Sequence, residues 1–158
     1  MTRTFTLEEA NRLVPRVAAT LARTTQLIAQ ARAIARRLAD AGVTAPQPGE
    51  LPSPEDVDAV DEPELAADVA RARMLAEAAR DQARALTELG VVVRDLERGL
   101  VDFRSVVDGE REVWLCWQLG ERDIRYFHDL HAGFPGRQPV EGHRFFRSRQ
   151  LVPPRSSE

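Results

Sequence analysis

The sequence predicts an α+β protein in which a long antiparallel helical hairpin, similar to a coiled coil, joins a small three-stranded antiparallel sheet and a short C-terminal helix. Three observations predict this class. Apolar residues recur at intervals of three and four over two long segments before Gly90, which is the period of an α-helix. After Gly90 the apolar period becomes two, as in a β-strand. Asp108-Gly109 then separates two such strands, and this dipeptide favours a tight hairpin turn.

The first helix is predicted over residues 6–40. Thr6 can accept a hydrogen bond from the Glu9 amide while the Glu9 carboxylate accepts one from the Thr6 amide, which is a capping box. Beyond it, apolar residues lie seven apart in two series, an arrangement typical of a bundle or coiled coil. The series are Leu7, Val14, Leu21, Ile28, Ala35 and Ala10, Val17, Thr24, Ala31, Leu38. Gly42 is expected to end this helix.

A Pro-rich linker and a second helix follow. Residues 43–54 contain four Pro and one Gly, which indicates a loop. The second helix is predicted over residues 62–89, with a seam that is rich in Ala and therefore allows close approach of a partner helix. This seam is Leu65, Val69, Ala72, Ala76, Ala79, Ala83 and Leu86. The large side chains of the first helix fit against it, which favours an antiparallel hairpin.

The hairpin has two interpretations. It is either a scaffold that buries its own seam or a coiled coil that binds a partner, since apolar periodicity alone does not separate the two. A two-helix hairpin covers only one face of each helix. We therefore expect a homo-oligomer, most simply a dimer.

The antiparallel sheet is predicted over residues 91–119. Its strands are expected at residues 91–93, 100–107 and 111–119. In the third strand Trp117 and Trp114 point to opposite faces, because side chains alternate along a strand. One face is therefore expected to pack on the helices and the other to be covered by the segment that follows. Cys116, between the two Trp residues, is expected to be buried rather than a nucleophile.

A short helix is predicted over residues 121–131, ending at Gly133. Residues 1–140 are expected to form a single domain. Residues 141–158 have no apolar period and end in a polar stretch, so we expect a disordered tail there.

Composition limits the class of protein. The chain has 158 residues, 43% apolar and 30% charged, with a net charge of −3, as expected for a soluble globular protein. No apolar stretch reaches the length of a membrane span, and the N-terminus lacks the features of a signal peptide. The single Cys fits a reducing compartment, so a cytoplasmic location is expected. The acidic body of the chain argues against nucleic acid as the partner.

Four sequence motifs resemble those of a bacterial family, the uncharacterised domain-of-unknown-function family 2203. The motifs are TLEEAN with LVP near the start, GLVDF at 99–103, DG…VWLCWQLGE at 108–121, and FHDLHAGFPGRQP at 127–139. The resemblance implies a small bacterial cytoplasmic protein with helical and β parts. It carries over no catalytic residue.

A divalent metal site is one hypothesis for the segment at 121–139. His128 and His131 are three residues apart on the predicted helix, so their imidazoles can converge on one ion, with Glu121 as a third ligand. Asp102 or Cys116 could supply a fourth. The structural alternative is that these histidines interact with the dipole at a helix C-terminus and that His128 bonds into the sheet.

A binding site for a small anion is the other hypothesis. Arg137 ends a glycine-flanked loop, and its guanidinium can hold a carboxylate or phosphate bidentately. Equally, Arg137 could pair with Asp102 or Glu121 and fix the loop in place. The predicted pocket lies between strand 111–119, helix 121–131 and loop 133–138. Its candidate ligand-binding residues are Trp117, Glu121, Tyr126, His128 and Arg137.

The sequence therefore predicts a module that binds a small ligand or a protein partner, or has a structural role, and it leaves open whether the protein is an enzyme. The competing prediction is a metal-dependent enzyme or metal-binding protein that uses Glu121, His128 and His131.

Overall fold

The computed structural model describes residues 3–148. It confirms the α+β class, with two long helices and, within these residues, a six-stranded antiparallel sheet. The helices are α1 (Leu7–Asp40) and α2 (Pro63–Glu88). The strands are β1 (Val92–Asp95), β2 (Leu100–Val107), β3 (Arg111–Gln118), β4 (Tyr126–Asp129), β5 (Gln138–Pro139) and β6 (Phe145–Phe146).

The ends of the helices follow the local signals in the sequence. At the start of α1 the Glu9 amide donates to Thr6 Oγ1 (3.1 Å) and the Thr6 amide donates to Glu9 Oε1 (3.3 Å), which is the predicted capping box. Gly90 follows α2 with φ 88°, and the Val91 amide donates to the Leu86 carbonyl (3.1 Å). This bond closes the helix in a Schellman motif. Gly42, with φ 85°, ends α1 in the same way.

The chain, predicted as one domain over residues 1–140, divides into two compact units. The first unit comprises the described residues up to Leu21 and from Ala85 onward. In it, the start of α1 and the end of α2 pack against one face of the sheet. The core there includes Phe5, Val14, Val17, Leu21, Leu86, Val101, Phe103, Leu115, Trp117 and Phe127. This unit contains all six strands.

The second unit, Ala22–Arg84, has a small core of its own. Ile34 and Leu38 of α1 contact Val69 and Ala72 of α2 in one buried cluster. Val57 and Val43, from the connection between the helices, complete this cluster. The connection therefore contributes to packing and is more than a spacer.

The sheet has two faces, which the strand register defines. The strands lie in the order β1-β2-β3-β4-β5, and β6 pairs with β2. Asp102 pairs with Cys116, and Trp114 pairs with His128, so these side chains share one face. We call it the polar face. The opposite face, which we call the core face, carries Val101, Phe103, Leu115, Trp117 and Phe127.

The predicted C-terminal helix at 121–131 is wrong. Tyr126–Asp129 instead forms β4, which pairs antiparallel with β3. A spacing of four between Ile124 and His128 fits a helix turn, but Phe127 is buried on the core face while His128 is buried on the polar face. That alternation is the strand period. An isolated helix of this length is only marginally stable. The edge of β3 offers backbone hydrogen-bond partners to the same segment, so pairing with β3 decides the structure.

The predicted three-stranded sheet is also wrong, since six strands are present in residues 3–148. The additional strands beyond β4 are only two residues long, too short for a period to reveal. One of them, β6, lies in the predicted disordered tail and pairs with Val106 and Val107. The prediction therefore fails over residues 141–148. The rest of that tail, residues 149–158, lies outside the described residues.

Candidate metal centre

Three buried side chains of different chemistry meet on the polar face of the sheet. Asp102, Cys116 and His128 come from β2, β3 and β4 and are 1%, 1% and 5% exposed. One ligand atom from each, namely a carboxylate oxygen, Sγ and an imidazole nitrogen, lies within 4.8 Å of the other two. We call this group the Asp–Cys–His cluster. Among the described residues 3–148, no other group of three or more His, Cys, Asp or Glu side chains has a spacing that could hold a metal ion.

His128 is oriented by acceptors on both sides of its ring. Its Nδ1 lies 3.0 Å from the Asp129 carbonyl oxygen, and its Nε2 lies 3.2 Å from both carboxylate oxygens of Asp102. Both partners can only accept, and a neutral imidazole carries one ring hydrogen, so it donates either to the Asp129 carbonyl or to Asp102. Donation from Nδ1 leaves the lone pair of Nε2 facing the carboxylate, which is the arrangement that suits a cation between them.

Asp102 is held by Arg94. The Nε of Arg94 donates to Asp102 Oδ2 at 2.8 Å, and its guanidinium lies over the Trp114 ring, 4.6 Å from the centroid. Arg94 reaches this position because the register between β1 and β2 shifts between Val93 and Asp95. Such a bulge redirects a side chain, and bulges are common next to functional sites.

The Cys116 thiol is not activated for nucleophilic attack. Burial raises the pKa of its thiol to about 12, and the nearby Asp102 carboxylate adds to the effect. The thiol is therefore protonated at neutral pH, whereas a nucleophilic Cys requires a thiolate. A metal ion coordinated by Cys116 would change this, because metal coordination deprotonates a thiol.

A cavity of about 290 Å³ opens onto the Asp–Cys–His cluster. Its other polar lining residues are Arg94 and His131. The rest of its lining is apolar or small, and consists of Leu100, Leu130, Ala132, Gly133 and Phe134. The cavity therefore combines ligand atoms with apolar walls, as small-molecule sites commonly do.

Four of the predicted ligand-binding residues form a separate group beside this cavity lining. Arg137 Nη2 donates to both carboxylate oxygens of Glu121 at 2.9 Å. The Arg137 guanidinium also lies over the rings of Tyr126 (4.2 Å) and Phe134 (4.5 Å). Trp117 is 1% exposed and its Nε1 donates to the Glu121 carbonyl at 3.0 Å. We call the Glu121–Arg137 pair the clamp, because it joins the segments on either side of β4.

The predicted metal ligands are not all brought together. His128 belongs to the Asp–Cys–His cluster, His131 is exposed and lines the cavity, and Glu121 is engaged by Arg137. Residues 121–131 do not form a helix, so the helical spacing that was expected to bring Glu121, His128 and His131 together is absent. Asp102 and Cys116, each predicted only as an alternative fourth ligand, lie together with His128 in the Asp–Cys–His cluster. The sequence does contain one signal for this site, because Asp102 is an acidic residue between Val101 and Phe103 in a mainly apolar strand.

A larger depression of about 550 Å³ lies in the second unit, Ala22–Arg84. Its polar lining residues are Glu50, Arg73, Glu77 and Arg80. These are charges of both signs without His or Cys, and they are typical of a solvated surface. The smaller cavity is the better candidate because its lining has ligand chemistry.

The fold is that of a small α+β protein with a buried Asp–Cys–His cluster on its sheet, and comparison with known proteins adds the family. Residues 3–140 match the model of a family described as an uncharacterised conserved protein, DUF2203. The chain belongs to this family. No curated protein and no solved structure matches the chain. Within residues 3–148, neither helix has the length and apolar character needed to cross a membrane.

Proposed function

We propose that the protein binds a divalent transition-metal ion through Asp102, Cys116 and His128, and that the adjoining cavity admits a small ligand to the ion. The observation that carries this proposal is the convergence of three buried ligand atoms within 4.8 Å of one another. Buried polar side chains of this kind are costly unless they are paired or coordinate a metal.

The ligand types favour zinc or a metal of similar character. Thiolate and imidazole suit zinc and neighbouring transition metals, whereas calcium and magnesium prefer oxygen ligands. Three protein ligands leave a coordination position open, which is typical of catalytic rather than structural zinc sites. The cavity lies on the cluster, so a small molecule or water can occupy that position.

The surroundings of the cluster also support a metal site. The bond from His128 Nδ1 to the Asp129 carbonyl (3.0 Å) leaves Nε2 as the coordinating atom, which is how metal-binding histidines are commonly oriented. Arg94 fixes the Asp102 carboxylate from the other side at 2.8 Å. These two contacts hold the side chains of His128 and Asp102 in the orientation that a metal ligand needs.

A structural ion pair is the competing explanation. A protonated His128 could donate to Asp102 through Nε2 and to the Asp129 carbonyl through Nδ1, which would satisfy the same contacts without a metal. The two explanations differ in the role of Cys116. An ion pair does not need the thiol, whereas the metal site does.

The test is titration of metal-free full-length protein with zinc against a chromophoric chelator. We expect one ion per chain, with Cys116→Ser and His128→Gln each weakening binding by about a hundredfold or more. Circular dichroism in chelator shows whether each variant remains folded. Absence of binding by the wild type would overturn the proposal in favour of the ion pair.

His131→Ala and Glu121→Gln are the matched controls, because they alter the other two residues predicted as ligands. We expect both to bind zinc as the wild type does. If instead they abolish binding while Cys116→Ser binds normally, the ligands are Glu121, His128 and His131 and our assignment is wrong.

Dimerisation stays a prediction that rests on the helical seams. Light scattering on the purified protein tests it directly. A monomer at high concentration would refute the dimer without affecting the metal site, whose three ligands come from one chain.

A further inference from the structure

Resting on the proposed function, we infer that the open position of the bound metal takes a small organic monoanion, a carboxylate that carries a short apolar group. Three features of the site lead to this class of ligand: its charge, the composition of the cavity lining, and the cavity volume.

The charge of the loaded site favours a monoanion. A divalent ion is neutralised by the Asp102 carboxylate and the Cys116 thiolate. Arg94, whose Nε lies 2.8 Å from Asp102 and whose side chain is 42% exposed, then gives the site one net positive charge, which solvent screens in part. The nearby Arg137 adds none, because Glu121 pairs with it at 2.9 Å. The remaining positive charge favours an anion over a neutral ligand at the open position.

Charged side chains of both signs lie on the Phe134 side of the cavity. The Arg98 guanidinium lies over the Phe134 ring, 5.1 Å from its centroid, and Phe134 lines the cavity. The Asp95 carboxylate accepts a hydrogen bond from the Arg98 amide (3.0 Å). Arg98 and Asp95 carry opposite charges, so together they add no net charge on this side of the cavity.

The apolar walls select the rest of the ligand. Leu100, Leu130 and Phe134 line the cavity beside the cluster, and they offer no donors for additional ligand oxygens. The side-chain donors in the rest of the lining are Arg94 and His131. An inorganic phosphate presents oxygens on every side, so those that face neither the metal nor these two residues would lie against the apolar walls, whereas a carboxylate directs its two oxygens at the metal and its apolar group at the walls. The volume of about 290 Å³ lies at the lower limit of ligand pockets, which are roughly 300–1,000 Å³. The ligand is therefore small.

The experiment uses full-length protein loaded with Co²⁺ in place of zinc, because the visible bands of cobalt report changes in its coordination. Butyrate is titrated against butyramide, which has a similar shape but no charge. We expect a saturable spectral change with butyrate and none with butyramide. Acetate, which has two methylene groups fewer, is expected to bind about tenfold more weakly.

Two variants test whether the cavity is the binding site. Leu130→Trp fills the space beside the cluster and should weaken butyrate binding at least tenfold while Co²⁺ binding persists. Met74→Trp is the matched control, because Met74 is 70% exposed on α2 and outside the cavity lining. The comparison of acetate, butyrate and butyramide needs no variant, so it decides the question even if Leu130→Trp fails to fold.

The outcomes separate this inference from the proposed function. Absence of any cobalt spectrum would refute the metal site and the inference together. A normal cobalt spectrum that responds equally to butyrate and butyramide, or to neither, would refute the inference alone. Tighter binding of inorganic phosphate than of butyrate would overturn the carboxylate assignment.

Discussion

The core face and the polar face of the sheet are both buried at their centres, yet different interactions hold them. On the core face, Phe103 and Phe127 are 0% exposed and contact other apolar side chains. On the polar face, Asp102 and His128 are buried almost as deeply, but each is held by hydrogen bonds. One face gains its stability from removing apolar surface from water, and the other needs every polar atom to find a partner.

Adjacent residues of one strand serve these two faces. In β2 the Phe103 ring packs edge-on against Phe5, with centroids 5.5 Å apart, while its neighbour Asp102 points the other way into the Asp–Cys–His cluster. Packing on the core face therefore fixes the backbone that positions the proposed metal ligands. A site built on strands in this manner is held more precisely than one built on loops.

The largest expected effect comes from the core face. Phe103→Ala should reduce the free energy of unfolding by about 3–5 kcal/mol, because it removes a fully buried ring and leaves a cavity. Urea unfolding of the metal-free protein measures this loss. The molecules that remain folded should keep wild-type zinc affinity. A loss of zinc affinity comparable to that of Cys116→Ser would show that the two faces are not separable.

The next effect comes from the polar face. Zinc at a hundred times its dissociation constant should stabilise the wild type by about 2.7 kcal/mol, since the ion binds only the folded state. Thermal unfolding with and without zinc measures this gain. Cys116→Ser should show almost none of it while keeping near wild-type stability in chelator. Equal stabilisation of both proteins would place zinc elsewhere.

The sequence predicts the helices and the β2–β3 hairpin because their signals are local. The Thr6–Glu9 capping box, the Gly90 helix end and the Asp108-Gly109 turn each depend on a few neighbouring residues. The sequence predicts a helix where β4 lies, because Ile124 and His128 fit the helical period equally well. Pairing with the open edge of β3 decides between helix and strand. A short stretch of sequence around β4 does not contain that edge.

The candidate site was only partly predictable for the same reason. His128 could be identified as a potential ligand from its residue type. Its partners could not, because Asp102 lies 26 residues away in the chain and reaches His128 only through the pairing of β2 with β3 and of β3 with β4. Once register is known, the polar face follows directly from the alternation of side chains.

The clamp is the third test, because it lies beside the polar face without supplying a metal ligand. Arg137→Ala should reduce the free energy of unfolding by about 2 kcal/mol, since it removes a partly buried ion pair and two ring contacts. Chemical unfolding in chelator measures this. The exposed Arg125–Asp123 pair (2.8 Å) gives the control, and Arg125→Ala should leave the free energy of unfolding close to that of the wild type. Wild-type stability of Arg137→Ala would instead favour a role in ligand binding.

The smallest effect is expected at the turn that joins β2 and β3, away from both faces. Asp108 accepts hydrogen bonds from the Arg144 amide (2.9 Å) and from His143 Nδ1 (2.7 Å). These bonds, the one from Arg144 first, lower the pKa of the Asp108 carboxyl below its usual value of 3.8. Asp108→Asn keeps the left-handed backbone that this position requires (φ 53°), because Asn tolerates it. The variant therefore removes the charge and one of the two acceptor oxygens, since the Asn amide can accept from the Arg144 amide but has an NH₂ group in place of the second oxygen.

The sign of the pH dependence follows from the lowered pKa of Asp108. A carboxyl whose pKa is lower in the folded state contributes stability above its unfolded value of 3.8, and that contribution is lost as the pH falls through the folded value. Wild type should therefore exceed Asp108→Asn in melting temperature near neutral pH, and the difference should disappear in acid below about pH 3.8. Glu110→Gln, in the same turn, removes one negative charge without touching these bonds and should show no such change. A difference in melting temperature between wild type and Asp108→Asn that is independent of pH would mean that the amide disturbs the turn itself. The carboxylate charge would then contribute nothing to joining β6 to the sheet.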